Sequence, residues 1–229
     1  PEIITIGKKI NSSFFIKDIT KINERLSLVN VVSNKKIFRF YTNLSHYHQI
    51  YNQVICLSIF QFNKLNLDNF LQNSKKTPLV KGRGLEKRVK INDKYIRLID
   101  ESYNASPHTM KICIDYLNDI KINSNNNKFL ILGDMLELGK DSINFHKMII
   151  KYALRYTSAS IVLYGDIFEL ALKEIKIKTE LIVNFSKEYD LFEYLNMKIQ
   201  NNDIILIKGS NSSKTNKLLN VIFSKGSKI

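Results

Sequence analysis

The sequence has no tryptophan, two cysteines, three prolines, eight glycines, four alanines and six arginines among 229 residues. Cys56 and Cys113 are far apart and have no CxxC partner, which excludes a disulfide scaffold and a thiolate metal centre and predicts buried, reduced thiols. So little proline and glycine excludes collagen-like and low-complexity classes. No stretch approaches the 18 consecutive apolar residues of a membrane span, and residues 1–10 carry Glu2, Lys8 and Lys9 without the apolar run of a signal peptide. No GxGxxG or GxxxxGK[ST] pattern occurs, so no phosphate loop is visible. A soluble, cytoplasmic protein is the expectation.

What is abundant explains the charge. There are 33 Ile, 29 Lys and 25 Asn, and the net charge is +14. Surfaces that grip nucleic acid mix arginine with lysine, because the guanidinium fork binds phosphate in two-point geometry. Lysine scattered among isoleucine and asparagine reads instead as a codon signature. No nucleic-acid partner and no membrane insertion are expected, although a non-enzymatic basic α/β binding module stays open as an alternative.

The hydrophobic pattern divides the chain into two parts, 1–80 and 81–229. The first predicts strands at 3–6, 14–16, 26–32 and 36–41, a helix from 46 to 62 with Ile50, Val54, Leu57 and Ile59 on one stripe, and a short helix at 65–71. Asn73 to Pro78 is the linker candidate. The second part alternates apolar runs at 95–99, 129–132, 161–164, 181–183 and 204–207 with helical stretches. Runs apolar on both faces suit a covered parallel sheet, so the fold class expected is α/β with a doubly wound, mostly parallel, Rossmann-like sheet.

In such sheets ligands collect beyond the carboxyl ends of the strands. Those positions are polar: Asp100-Glu101-Ser102-Tyr103-Asn104-Ala105-Ser106-Pro107, Gly133-Asp134-Met135-Leu136-Glu137-Leu138-Gly139, and Lys208-Gly209-Ser210. Ser106-Pro107 predicts a capped helix start. Asp100 and Glu101 then either support that helix end or receive sugar hydroxyls, and spacing leaves both open. The 133–139 segment reads as a tight loop with Leu136 and Leu138 plugging the core. His46-Tyr47-His48 is the only close histidine pair, and without further ligands in sequence no metal site is expected. His108 and His146 read as surface or satisfied helix histidines. Arg83, between Gly82 and Gly84, is either a phosphate contact or a solvated cation in a flexible hinge.

Taken together, these segments resemble the Mur ligases of peptidoglycan synthesis, and within that family the branch that adds D-alanyl-D-alanine. Residues 100–107 are similar to its D[DE]SYNANP motif, with Ser106 in place of Asn. Residues 133–139 match its GDMLELG segment, with His146 downstream as in the family, and 208–210 match its KGS motif. His48-Gln49-Ile50-Tyr51-Asn52 resembles the HNxxN segment, with His46 where the family has Gly and Gln49 replacing Asn, and Gly82-Arg83 resembles its junction GR. The resemblance implies ATP and Mg²⁺ as cofactors, UDP-N-acetylmuramoyl-tripeptide and D-alanyl-D-alanine as partners, an acyl-phosphate intermediate and a monomer. It assigns the nucleotide to His48, Asn52, Arg83, Asp100 and Glu101, and the substrate side to Tyr103, Asn104, Asp134 and Lys208. No catalytic residue is assigned. It also implies that residues 1–80 are the strand-and-helix tail of a P-loop central domain, with Pro1 marking a cut. Phosphate loop and magnesium ligands would lie upstream, and the chain alone would be inactive. A related Mur or folylpolyglutamate-type ligase is the second alternative.

Overall fold

The computed structural model describes residues 3–228 except 24, 25, 45, 79, 178 and 214; side chains of 216 and 224–228 are likewise left aside, and Pro1 lies outside the described residues. The chain forms two compact units, Pro1–Leu79 and Val80–Ile229.

In the first unit, β1 (Ile6–Gly7), β2 (Phe14–Asn23), β3 (Leu26–Ser33) and β4 (Lys36–Thr42) make a four-stranded sheet in that order. The last three strands form an antiparallel meander, and β1 joins β2 in parallel. The β3–β4 hairpin turns at Asn34 and Lys35, both at positive φ as a tight two-residue turn demands. Alternate residues Phe14, Ile16, Val29, Val31 and Phe40 face α1 (Tyr47–Phe62), which contributes Ile50, Val54 and Leu57; α2 (Leu67–Asn73) packs Phe70 edge-on to Phe40. The expected stripe on α1 is corrected at its end: Ile59 is half exposed, and Gln53 and Ser58 take buried positions. Cys56, expected to be buried, is exposed because it lies on the opposite face.

Gln53 also corrects the linker. Its side-chain amide donates to the Ser74 carbonyl (2.9 Å) and the Thr77 hydroxyl (2.7 Å), Ser74 Oγ donates to the Tyr41 carbonyl, and Asn43 donates to the Thr77 carbonyl. Residues 74–77 are therefore bolted to the first unit, beginning with a 3-10 turn.

The second unit is a seven-stranded sheet ordered β11-β5-β6-β10-β7-β8-β9. Its strands are β5 (Leu85–Ile91), β6 (Lys94–Glu101), β7 (Lys128–Gly133), β8 (Ser160–Tyr164), β9 (Ile182–Phe185), β10 (Ile204–Lys208) and β11 (Gly226–Lys228). From β6 to β9 in space all neighbours are parallel, whereas β5 and β11 add an antiparallel edge. That edge escapes the apolar pattern because Leu-Glu-Lys-Arg-Val-Lys-Ile at 85–91 is mostly charged, and only Val89 and Ile91 reach the core. Helices α3 (Pro107–Asp119), α4 (Ser142–Tyr156) and α5 (Asp166–Ile175) cover one face; α6 (Glu188–Lys198) and α7 (Thr215–Lys225) cover the other. Successive residues of the central strands serve opposite cores: Leu130, Leu132, Ile204 and Leu206 one, Phe129, Ile131, Ile205 and Ile207 the other. This double burial, worth roughly 1.5–3 kcal/mol per large aliphatic side chain, is why these strands read as continuous apolar runs. Among the described residues no helix is long and apolar enough to cross a membrane.

Strand β10 lies between β6 and β7, and its following helix goes to the face opposite α3 and α4. The direction of winding thus reverses on both sides of Lys208, which sits opposite Glu101 in register. Crevices of this kind open at the carboxyl ends of strands.

Candidate active site at the carboxyl ends of the strands

At the end of β6, the Asp100 carboxylate is a local organiser. Its Oδ2 accepts the Gly82 N–H at 3.0 Å, and its Oδ1 accepts the Ser102 N–H (3.1 Å) and hydroxyl (2.6 Å). The Gly84 N–H donates to the Asp100 carbonyl and the Tyr103 N–H to the Gly82 carbonyl, so the 82–84 turn is laced to the strand end. Gly82 has φ +77°, and a Cβ there would stand 2.9 Å from Tyr103. Both facts require glycine. Between these anchors Arg83 is exposed, its guanidinium 4.1 Å from the centroid of the exposed Tyr103 ring. Arg83 thus projects from a turn hydrogen-bonded to the end of β6. Ser102 is the residue that composition and spacing do not single out, and its only signal is its place inside the 100–107 motif.

Lys208 is buried, and its ammonium donates to the carbonyls of Glu101 (3.2 Å) and Asn104 while lying 4.0 Å from the Glu101 carboxylate. One cation thereby ties β10 to the loop leading into α3. Asn104 is exposed, and its side-chain oxygen accepts the Ala105 N–H. Ser106 caps α3 as expected, exchanging bonds with Thr109. Cys113 lies beneath; burial and then the Glu101 charge push its thiol well above the ordinary range. His108 is exposed on the first turn.

At the end of β7, Asp134 turns toward α5. Its oxygens accept the N–H groups of Ile167 (3.1 Å) and Phe168 (3.0 Å), which satisfies a helix N-terminus that Gly165 leaves without a side-chain cap. A Cβ on Gly165 would collide with that carboxylate. Burial raises the Asp134 pKa, and the two helix N–H groups oppose the rise. The expected plug is met in part: Leu138 packs half-buried against the core, but the fully buried residue is Met135, and Leu136 is half-buried outside that cluster. Ser210 clasps the loop, donating its N–H to the Asp134 carbonyl (3.1 Å) and accepting the Leu136 N–H at Oγ (3.0 Å). His146 is, as expected, satisfied within its helix environment, bonded to Met135 and Ser142.

The strand ends of one unit thus bring together Arg83, Asp100, Glu101, Tyr103, Asn104 and Lys208, with Asp134 on a nearby strand end. His48 and Asn52 belong to the first unit, where they lie on α1, one turn from each other, half-buried and exposed respectively. Chemically, the strand-end group offers an exposed cation on an aromatic plane beside a buried Lys-Glu pair. Such a surface suits a flat, anionic ligand.

Residues 87–211 match the family model described as Mur ligase, glutamate ligase domain. The UDP-N-acetylmuramoyl-tripeptide–D-alanyl-D-alanine ligase of Rickettsia prowazekii is 35% identical over 150 residues, covering 62% of this chain and 30% of that protein. The protein of the same name from Buchnera aphidicola (subsp. Baizongia pistaciae) is 28% identical over 215 residues, covering 93% and 44%. The chain therefore spans less than half the length of these curated relatives. Among solved structures, MurF ligase from Thermotoga maritima in complex with ADP superposes with TM-score 0.75 at 19% identity, covering 94% of this chain and 47% of the other. MurF from Acinetobacter baumannii gives 0.76 at 17%, covering 95% and 46%. At these identities the structural likeness establishes the fold.

Proposed function

From the premise that this chain belongs to the Mur ligase family, we propose that it is the carboxyl-terminal portion of an ATP-dependent amide-forming ligase that adds D-alanyl-D-alanine to UDP-N-acetylmuramoyl-tripeptide in the cytoplasm. One observation carries the reading: the SYNASP, GDMLELG and KGS segments, far apart in sequence, meet at the carboxyl ends of the adjacent strands β6, β10 and β7. Relatives bearing that printed activity are similar over most of the chain, and a solved neighbour holds ADP.

The residues present fit part of a nucleotide. Arg83 over Tyr103 offers a flat, positively charged face for the ribose and phosphate, and Glu101, two residues before Tyr103, is buried against Lys208. Asp100 already accepts three hydrogen bonds from Gly82 and Ser102, so its proposed role is to hold the Arg83 turn in place. His48 and Asn52 are proposed for the adenine side on the resemblance of their segment alone. Tyr103, Asn104, Asp134 and Lys208 are proposed for the side where the amine arrives. There Lys208 shapes the Asn104 loop through the carbonyls it binds.

ATP would supply activation of the acceptor carboxylate as a phosphoric anhydride, which converts a poor electrophile into a good one. This chain's residues would contribute orientation and charge for that step. At the strand ends Asp100 already accepts N–H and O–H donors and the Lys208 ammonium stands 4.0 Å from the Glu101 carboxylate, so neither acid is proposed as a Mg²⁺ ligand. No step is assigned to the metal. Residues 1–80 are then read as the tail of a nucleotide-binding domain whose phosphate loop is not within these 229 residues, and the chain alone is expected to be inactive.

The test is a ligation assay with UDP-N-acetylmuramoyl-tripeptide, D-alanyl-D-alanine and ATP. The chain alone should release no ADP. A chimera carrying it in place of the corresponding region of the Rickettsia relative should release ADP only when the dipeptide is present. Turnover with glutamate in place of the dipeptide would favour a polyglutamylating or sister ligase instead.

A further inference from the structure

The ring of His146 is fully buried on α4, edge-on to Phe168 of α5 with centroids 4.5 Å apart. Its Nδ1 lies 2.7 Å from the Ser142 carbonyl, which can only accept, so Nδ1 carries a proton. Its Nε2 accepts the Met135 N–H at 3.0 Å, so that nitrogen must present a bare lone pair. Two backbone partners therefore admit a single state, the neutral ring in its Nδ1–H form. A second proton on Nε2 would confront the Met135 N–H donor to donor.

The charged groups around the ring decide the outcome of protonation. From the β7 loop, the Asp134 Oδ1 stands 3.8 Å from Nε2, and Asp166 of α5 acts on the same carboxylate. On the solvent side Lys147 of α4 is paired with Glu174 of α5 at 2.8 Å, and Asp115 of α3 is held by the Tyr152 hydroxyl. Asp141, before α4, is exposed. The acceptor within reach of a protonated Nε2 is thus Asp134, which is already bonded to the Ile167 and Phe168 N–H groups. Moving it toward His146 uncaps α5, and Ser210 carries the displacement into the loop after β10.

We propose that His146 is the positioning residue of the strand-end loop: when neutral it fixes Met135, and through it Asp134 and Ser210, and when protonated it draws Asp134 off the α5 N-terminus and loosens the loop. Burial disfavours the charged ring and lowers the His146 pKa below its ordinary value, so the loop is held at neutral pH and released under acid. This inference stands whether or not the strand ends take a nucleotide.

The test uses the 229-residue chain, ¹⁵N-labelled, with amide hydrogen exchange of Met135, Ile167 and Phe168 measured across the titration of the His146 ring and corrected for intrinsic exchange. Two variants separate the roles. In His146→Gln the side-chain carbonyl can accept the Met135 N–H but cannot titrate. His146→Phe keeps the ring and removes the acceptor. The wild type should lose about tenfold in protection at all three amides as the ring protonates, the scale of one hydrogen bond. Gln should stay protected at every pH, and Phe should be unprotected throughout. Unchanged wild-type protection through the ring's titration, or a Gln variant that titrates like the wild type, would overturn the proposal. If the Phe variant does not fold, the wild type and Gln still decide.

Discussion

The two ends of the C-terminal sheet each bury an aspartate among strand termini, and they use it in opposite ways. At the amino ends, Asp203 accepts the Asn127 N–H (2.7 Å), the Gln200 N–H (2.7 Å) and the Asn127 amide (3.4 Å), while its carbonyl accepts the Arg97 N–H. Asn201 and Asn202 bond the Tyr95 backbone, and Asn126 donates to the Asn201 carbonyl. All but the Gln200 bond, which closes the loop before β10 on itself, join one strand terminus to another. At the carboxyl ends Asp100 and Asp134 also bind backbone, Asp134 at the α5 N-terminus, but the turn that Asp100 holds presents Arg83 and Tyr103 to solvent, and Lys208 and Glu101 are buried at the same strand ends. Saturated polar groups make a scaffold; a polar network that ends in exposed, oriented groups makes a site.

That contrast can be broken by substitution. Asp203→Ala removes a buried carboxylate that accepts two short backbone hydrogen bonds and should destabilise the domain by about 4 kcal/mol in urea unfolding. The same change should leave the exposed Arg83-Tyr103 stack intact. Lys208→Met removes one partner of a buried ion pair and should cost about 3 kcal/mol, with lost hydrogen-exchange protection at Asn104 and Ala105. A loss under about 1 kcal/mol at either position would show that end to be more adaptable than the geometry implies.

At the carboxyl end acid acts through His146 and Asp134. His146 has a lowered pKa in the folded state, so its stabilising contribution is complete above its unfolded value of about 6.5 and is lost as pH falls through the folded value. Asp134 has the opposite sign: its folded pKa is raised, so its contribution is present below about 3.9, the unfolded value, and is lost as pH rises through the folded value. Between about pH 6.5 and the folded value of His146, unfolding monitored by circular dichroism should therefore show falling stability, absent in His146→Gln. The smallest effect on folding belongs to Arg83→Ala, within about 0.5 kcal/mol of the wild type because the side chain is exposed. It should nonetheless abolish ADP release by the ligase chimera.

The same contrast explains what can be read without coordinates. The five parallel strands are legible because burial on both faces writes them as apolar runs, and Ser106-Pro107 announces its helix by capping chemistry alone. The carboxyl-end residues are legible because acids, amides and glycines are concentrated in the short segments 100–107, 133–139 and 208–210. Strand β5 is not, since its outward residues Glu86, Arg88 and Lys90 dilute the two that reach the core. Nor is the Asp203 clasp: its partners Asn127 and Gln200 come from separate loops, and one acid in an asparagine-rich stretch looks like a solvated turn. The division between holding and binding is likewise invisible at Asp100 and Asp134, whose spacing fits a ligand as well as it fits the backbone N–H groups they bind.

The most direct measurement of the central claim, that the carboxyl ends bind and the amino ends hold, is ADP titrated into the ¹⁵N-labelled 229-residue chain at millimolar concentration while every backbone amide is followed. The account predicts saturable shifts at Arg83, Gly84 and residues 101–104, weakened by Arg83→Ala, and none at residues 126, 127 and 200–203. Saturable shifts confined to that amino-end group, or unchanged by Arg83→Ala, would contradict it.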